Sequence, residues 1–115
     1  MRRLTRLLTT GALCLALAVP QPAAAATESR VTYYLPTGNA TYSGVWPYEG
    51  VAAANLAWLP IGTRFTLDCL PGNVYTVLDT GHLPARWVDI YVETPETGRW
   101  IARVCGDYST VREVR

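Results

Sequence analysis

Two aspartates, ten positions apart, have the side chains best suited to acid–base chemistry in this sequence. Asp79 begins the run Asp79-Thr80-Gly81, and Asp89 lies in a run of β-branched and aromatic residues at 87–92. Two carboxyl groups can divide the work of a general acid and a general base. Two plainer interpretations stay open at this point: a turn aspartate that accepts backbone N–H bonds, and a solvated aspartate on a strand.

Strand alternation predicts where Asp89 points. Successive side chains of a strand face opposite sides, so residues 87–92 separate into an apolar face and an aromatic face that carries the acid. The apolar face consists of Val88, Ile90 and Val92, and the other face consists of Trp87, Asp89 and Tyr91. Aromatic neighbours desolvate a carboxyl group and raise its pKa, and a nearby Asp79 carboxylate acts in the same direction. We therefore predict Asp89 as the acid/base and Asp79 as its support.

Residues near the pair offer contacts for a ligand. The indole faces of Trp46 and Trp87 suit sugar rings, and the only histidine, His82, lies between the two acids in the sequence. The alternatives are partly buried tryptophans and an exposed loop histidine. A triad of Ser43, His82 and Asp79 lacks a nucleophile elbow, and one histidine supplies too few ligands for a metal site. We predict neither a metal nor a cofactor.

The pattern of short runs predicts an all-β domain. Runs rich in β-branched and aromatic residues, broken by Pro and Gly, favour strands, and no window after residue 26 shows clear helical periodicity. The predicted strands are residues 31–34, 64–69, 73–78, 87–92 and 100–105. A hairpin turn is predicted at 70–73 and a short helical turn within the Ala-rich segment 50–59. Because a closed barrel avoids the exposed edges of an open sheet, we predict a small β-barrel.

The first 26 residues have the features of a secretory signal peptide. A basic start is followed by an apolar run and by small residues that end at Ala26. The apolar run is shorter than the roughly 20 residues that span a bilayer, so a permanent membrane helix is the weaker alternative. Lipidation at Cys14 is disfavoured by the bulky Leu13 before it. We predict a signal peptide at 1–26 and a secreted domain at 27–115.

The predicted mature chain contains two cysteines, Cys69 and Cys105. In an exported protein an even pair indicates a disulfide. A domain of this size buries only about 60–65% of its unfolded surface, so a covalent link is useful to it. The loop that the bond would close corresponds to about 3–4 kcal/mol of stability.

The charge balance of the mature chain argues against polyanionic partners. The full chain has a formal net charge of +1, but three of its arginines lie in the predicted signal peptide. Their removal leaves seven Arg against nine Asp and Glu, a net charge of about −2, with no Lys. Such a surface offers no electrostatic footprint for nucleic acid or anionic lipid, whereas a neutral glycan is compatible with it. We expect a monomer without stable membrane insertion.

Five motifs, in this order, resemble those of the three-aspartate (3D) domain. That domain is a double-psi β-barrel related to rare lipoprotein A, to expansins and to membrane-bound lytic transglycosylase A. The motifs are TYSGV at 41–45, GVAAAN at 50–55, LPIGTR at 59–64, DTG at 79–81 and VDIY at 88–91. The resemblance runs from about Thr32 to Val104, and it implies a small six-stranded double-psi β-barrel that follows a cleaved signal peptide.

The resemblance also implies roles for single residues. Asp79 falls on the second family aspartate and Asp89 on the third, which is similar to the catalytic acid/base of lytic transglycosylases. Asn55 stands where the family has its first aspartate, and the loop 81–86 departs from the family's glycine-rich loop. The expected substrate contacts are Trp46, Asn55, His82, Trp87 and Tyr91.

The implied function is that of a secreted, peptidoglycan-directed enzyme similar to a lytic transglycosylase, with cell-wall polysaccharide as its partner. A non-catalytic, expansin-like barrel that binds or loosens polysaccharide is the alternative. A secreted protein–protein or inhibitor module on the same scaffold is a third interpretation.

Overall fold

The structure is a computed structural model that describes residues 25–114. The predicted signal peptide therefore lies outside the described residues, apart from Ala25 and Ala26. In chain order the elements are strands β1 (Ala26–Tyr34), β2 (Val51–Ala54), β3 (Arg64–Leu67), β4 (Tyr75–Asp79) and β5 (Trp87–Tyr91), helix α1 (Pro95–Cys105) and strand β6 (Tyr108–Glu113). Within this part of the chain, no helix is long and apolar enough to cross a membrane.

The six strands form a closed ring in the order β1-β5-β2-β4-β3-β6. Two neighbouring pairs are parallel, β1 with β5 and β2 with β4, and the remaining pairs are antiparallel. The ring leaves neither β1 nor β6 as an open edge, since the first and last strands pair with each other. The predicted small all-β barrel is confirmed at this level.

The inside of the ring is filled by alternate residues of its strands. On β5, Val88 and Ile90 are almost fully buried, while Asp89 between them is only partly buried. The same core contains Ala52, Ala54, Phe65, Leu67, Val77 and Val111. Full burial of an aliphatic or aromatic side chain of this kind contributes about 1.5–3 kcal/mol. The predicted apolar face of residues 87–92 is thus confirmed, and it aims Asp89 away from the core.

Helix α1 contradicts two expectations, because residues 100–105 were predicted as a strand and no helix was expected. Thr94 caps the helix by accepting the N–H of Thr97 at 3.2 Å, and Pro95 occupies the first turn, where a missing N–H has no effect. The buried residues Gly98, Ile101 and Cys105 repeat at spacings of three and four, which is the period of one helix face. The segment TPETG at 94–98 is therefore the beginning of helix α1.

Two further segments differ from the sequence prediction. Residues 51–54 were not predicted as a strand but form β2, which lies between β4 and β5 and has all four of its residues buried. The helical turn predicted within 50–59 is present after β2, where the N–H groups of Trp58 and Leu59 both donate to the carbonyl of Asn55. Strand β6 was not predicted, since its YSTVRE sequence alternates only weakly. The hairpin at 70–73 is confirmed by the antiparallel pairing of β3 with β4.

A disulfide joins Cys69 to Cys105, as predicted. Cys69 lies in the turn after β3, and Cys105 is the last residue of α1. The bond therefore fastens the helix to the strand region on which it lies. Removing a native disulfide of a small exported domain costs about 2–5 kcal/mol.

Candidate functional site

Ala53 of β2 lies between the two aspartates. It pairs with Asp79 on the parallel neighbour β4 and with Asp89 on the antiparallel neighbour β5. Neighbouring strands are about 4.8 Å apart, so the two acidic residues are separated by roughly 10 Å of backbone with one methyl group between them. The small Ala53 side chain leaves room above the sheet that both carboxyl groups can reach.

A β-bulge aims Asp79 at this space. Ala52 pairs with Val77, but the next residue of β2, Ala53, pairs with Asp79, so Leu78 is left out of the register. Strict alternation would put Asp79 on the same side as Val77, whose side chain is fully buried in the core. An extra residue in one strand shifts the following side chains to the other face. The bulge thus places Asp79 on the face that also carries Asp89.

Three donors hold the Asp79 carboxylate. One oxygen, Oδ1, accepts the backbone N–H groups of Tyr42 and Thr80, each at 2.9 Å, and the other, Oδ2, accepts the hydroxyl of Tyr34 at 2.9 Å. Burial, the hydrogen bond to Asp79 and the charges of both aspartates raise the pKa of Tyr34 above its ordinary value. Tyr34 therefore keeps its proton and remains a donor, and Asp79 is fixed in position.

Asp89 has a different environment. Its Oδ1 accepts the hydroxyl of Thr32 at 2.9 Å, across the β1–β5 pair in which the two residues face each other. Burial raises the pKa of Asp89; the Thr32 hydrogen bond lowers it, and the charge of Asp79 raises it further, with a net upward shift. A carboxyl group with a raised pKa retains its proton at higher pH and can serve as a general acid.

Thr32 can follow a change in the protonation of Asp89. Its Oγ1 lies 2.9 Å from Asp89 Oδ1 and 3.4 Å from the carbonyl oxygen of Val88. The hydroxyl has one proton, which it donates to the carboxylate when Asp89 is charged. When Asp89 is protonated, the hydroxyl can rotate to the Val88 carbonyl and accept from the acid. Both states of Asp89 thus have a partner.

The two acids border a cavity of about 290 Å³. Its lining consists of Tyr34, Thr37, Ala53, Asp79, Thr80, Gly81, His82, Leu83 and Asp89. Of the residues predicted to form the site, the structure therefore brings together Asp79, Asp89 and His82. The cavity is formed by the outer face of β2, β4 and β5 and by the loop that begins at Thr80.

Asn55 holds the cavity loop from outside. Its Nδ2 donates to the carbonyl of Leu83 at 3.0 Å, and its Oδ1 accepts the N–H of Ala57 at 2.9 Å. Thr80 adds a second anchor through its hydroxyl, which donates to the carbonyl of Ala54 at 2.8 Å. Asn55 does not line the cavity, so in this structure it positions the loop between the acids.

The three predicted aromatic contacts lie outside the cavity lining. Trp87 packs under the guanidinium group of Arg30, which is 5.2 Å from the ring centroid. Tyr91 is buried with its ring edge against Tyr34, at 5.5 Å between centroids. Trp46 is 64% exposed on the segment that precedes β2.

Four residues of the site were missed by sequence reasoning: Thr32, Tyr34, Tyr42 and Ala53. Alternation in β1 puts Thr32 and Tyr34 on one face, which was a usable signal. Their partners, however, lie far away in the sequence: Thr32 bonds Asp89 across the β1–β5 pair, 57 positions away, and Tyr34 bonds Asp79 of β4, 45 positions away. Tyr42 contributes its backbone N–H, which no side-chain pattern can indicate.

Within residues 25–114, no group of three or more His, Cys, Asp and Glu side chains is arranged to hold a metal ion. The chemistry available at the site is therefore that of one partly buried carboxyl group, one fixed carboxylate and nearby hydroxyl groups. Neither the scan against protein-family models nor the search of curated proteins finds a match to this chain.

Proposed function

We propose that this chain is a secreted, cell-wall glycan-active enzyme similar to a peptidoglycan lytic transglycosylase, with Asp89 as its acid/base. The observation that carries this proposal is the raised pKa of Asp89 beside a cavity that Asp79 also borders. We further propose that the barrel is a double-psi barrel of the three-aspartate family. The mixed ring of parallel and antiparallel strands is compatible with this assignment, and the disulfide is consistent with an oxidising, extracellular location.

The proposed reaction needs only one acid/base group. Protonated Asp89 donates its proton to the glycosidic oxygen as the bond from C1 to that oxygen breaks. The C6 hydroxyl of the same sugar then attacks C1, and the Asp89 carboxylate takes the hydroxyl proton, so that an anhydro sugar forms and no water is consumed. The attacking hydroxyl belongs to the substrate and is present at high effective concentration. Asp89 ends the cycle protonated, as it began.

Asp79 supports this chemistry as a fixed negative charge. Positive charge develops at C1 and the ring oxygen in the transition state, and a preoriented carboxylate stabilises it without reorganising. The three donors on Asp79 keep the group in place, so it does not need to move during the reaction. Its charge also favours the protonated form of Asp89, which is the form that starts the reaction.

The segment before β2 supports a polymeric ligand. Its backbone is attached to Asp79 through the Tyr42 N–H and to Leu78 through the Ser43 N–H, at 3.0 Å. The side chains of Tyr42 and Trp46 on this segment are 67% and 64% exposed. Exposed aromatic faces on a segment that is bonded to Asp79 suit sugar rings, which have apolar faces and polar edges.

The second candidate is a non-catalytic barrel that binds or loosens polysaccharide. Two observations favour it: Asn55 uses its amide to hold Leu83, and Asp79 has all its bonds within the protein. Only Asp89 then remains free to transfer a proton. Catalysis and binding make different predictions for the same substitution at this residue.

The test incubates the purified protein with isolated peptidoglycan and measures anhydro-muramyl ends by mass spectrometry. Wild type should form them, and Asp89→Asn should reduce the rate by about 10²- to 10⁴-fold, the usual contribution of a general acid/base. Thr32→Val is the milder variant for comparison, because it removes a hydrogen bond to Asp89 but keeps the acid. An absence of anhydro ends with wild type, or equal amounts with Asp89→Asn, would exclude the enzyme.

A sedimentation assay on insoluble glycan separates the second candidate from the first. A binding barrel should bind glycan with wild type and Asp89→Asn alike and release no product. Substitution of the exposed Trp46 by Ala should weaken binding under either candidate. If neither the wild type nor any variant binds glycan, both the enzyme and the glycan-binding barrel are excluded. The third interpretation, a protein–protein or inhibitor module, then remains.

A further inference from the structure

A second cavity, of about 190 Å³, lies at the far end of β5 from Trp87. It is bounded by the start of β4, the end of β5 and the first half of α1. Its lining consists of Glu49, Gly50, Asn73, Val74, Tyr75, Ile90, Tyr91, Val92, Thr97, Trp100 and Ile101. None of these residues borders the cavity of the two aspartates. Tyr91 follows Asp89 by two positions on β5, so these two lining residues, one from each cavity, are roughly 7 Å apart along the strand.

Two tyrosines place polar atoms at this cavity without partners. Tyr75 is 7% exposed and Tyr91 is 5% exposed, yet neither phenol oxygen makes a hydrogen bond within residues 25–114. Neither oxygen is among the side-chain atoms sealed from solvent without a partner, and both side chains line the cavity. The two phenol oxygens are therefore acceptors that are available to a ligand in this cavity.

The charge of the cavity is negative. Glu49 Oε2 accepts the N–H of Glu93 at 3.1 Å, and no cationic side chain in the described part of the chain pairs with Glu49. The lining contains no Arg, Lys or His. Burial raises the pKa of Tyr75 and so does the charge of Glu49, while burial, Glu93 and Glu49 raise the pKa of Tyr91. Both phenols are therefore neutral and lie in the field of an unpaired carboxylate.

We propose that this cavity binds the primary ammonium group of an organic ligand. An ammonium group has three donors and no acceptor, and the cavity offers the Glu49 carboxylate and two phenol oxygens as acceptors. Trp100, which is 46% exposed, provides an indole for the charge or for the alkyl chain that carries it. A neutral sugar hydroxyl can donate one hydrogen bond to the carboxylate but does not neutralise its charge.

The ammonium site deepens the proposed function. If the first cavity holds a sugar unit, a ligand that continues along β5 reaches Tyr91 with its next substituent. A peptide amino group carried by the glycan fits this position by charge and distance. That assignment rests on the proposed function, whereas the ammonium site itself depends only on Glu49, Tyr75 and Tyr91.

The test titrates two probes into ¹⁵N-labelled protein. Nα-acetyl-lysine amide has a free ε-ammonium group, and its Nε-acetylated form is neutral and otherwise matched. The charged probe should shift the amide signals of Gly50, Tyr91 and Thr97 in a saturable way, and the neutral probe should bind at least about 10-fold more weakly. Equal shifts with both probes would overturn the proposal.

Variants localise the site. Glu49→Gln and Tyr75→Phe should each weaken the charged probe, the first by about 10-fold or more, and both keep the shape of the side chain. Glu28→Gln removes an exposed carboxylate of β1 outside the cavity and should change nothing. Unchanged binding in Glu49→Gln contradicts the ammonium site. Because the probes contain no glycan, the result is independent of the anhydro-sugar assay.

Discussion

At the scale of single residues, the carboxyl group of Asp89 links the proposed acid/base role to the stability of the fold. Folding raises its pKa above the ordinary value of 3.8, chiefly because the group becomes partly buried. The folded state therefore binds this proton more tightly than the unfolded state. The stability associated with the proton is fully present below about pH 3.8 and is lost as the pH rises through the folded pKa. Above the folded pKa the charged Asp89 therefore lowers the stability of the fold.

Asp89→Asn should consequently raise the melting temperature at pH 7 while it lowers the proposed activity. The substitution removes the desolvated charge but keeps the shape and a partner for Thr32. The gain should disappear at pH 3, where the wild-type acid is protonated in both states. Thermal unfolding followed by circular dichroism at the two pH values measures this difference. A wild type that is more stable than the variant at pH 7 would contradict the raised pKa.

Asn55 is the residue where the family resemblance and the structure give different expectations. The resemblance suggests that Asn55→Asp would restore a missing acid. The structure suggests otherwise, because Nδ2 of Asn55 donates to the Leu83 carbonyl outside the cavity. A carboxylate in its place would put an acceptor opposite an acceptor.

We expect Asn55→Asp to lower the free energy of unfolding by about 1–3 kcal/mol, the cost of unpaired polar groups, and to leave glycan cleavage no faster. Denaturant unfolding and the anhydro-muramyl assay measure the two quantities. Asn55→Ser is the comparison that removes the donor without adding charge. An Asn55→Asp enzyme with higher activity would show that this side chain reaches the substrate.

At the scale of elements, β5, helix α1 and the β4 bulge differ in how far their structure could be predicted from sequence patterns. Alternation in residues 87–92 correctly separated the core from the acid, because β5 is regular. The Thr94-Pro95 start of α1 was a local cap signal, but Gly98 and the short length of the helix weakened its periodicity. The Asp79 side was not predictable by alternation, since the bulge at Leu78 depends on pairing with β2. Features that depend on neighbouring residues, such as strand alternation and helix capping, could be predicted, whereas the register between distant strands could not.

Gly98 makes the contact between α1 and β1 possible. A Cβ at this position would overlap the ring of Tyr33. Gly98→Ala should therefore lower the free energy of unfolding by about 1–2 kcal/mol, because overpacking exceeds the roughly 1 kcal/mol gain in helix propensity. The double variant with Tyr33→Ala should lose less than the sum of the single losses. Strict additivity in denaturant unfolding would argue against this contact.

At the scale of the whole molecule, two connections hold the fold together: the pairing that closes the ring of strands and the disulfide that ties the helix to it. Strands β1 and β6 close the ring, and Cys69–Cys105 ties α1 to the turn after β3. The helix contributes Ile101 and Cys105 to the common core. Loss of the bond should therefore loosen the helix first and the second cavity with it, since α1 forms one of the walls of that cavity.

Replacing both Cys69 and Cys105 by Ala should lower the free energy of unfolding by about 3–4 kcal/mol. For a domain of this size that corresponds to a fall in melting temperature of more than about 10 °C. Wild type treated with a reducing agent should unfold like the double variant. A difference below about 1 kcal/mol would mean that packing alone holds α1 in place.

The pairing of the first strand with the last also governs the order in which the chain can fold. β1 finds its neighbours only in β5 and β6, so a chain that emerges with its N-terminal end first has no partner for β1 until most of its length has appeared. Bringing such distant segments together is slow, because the entropy of a long loop is lost before any contact compensates it. Until then, an emerging chain would present β1 as an open strand edge to other proteins. A chaperone that covers this strand would increase the yield of folded molecules.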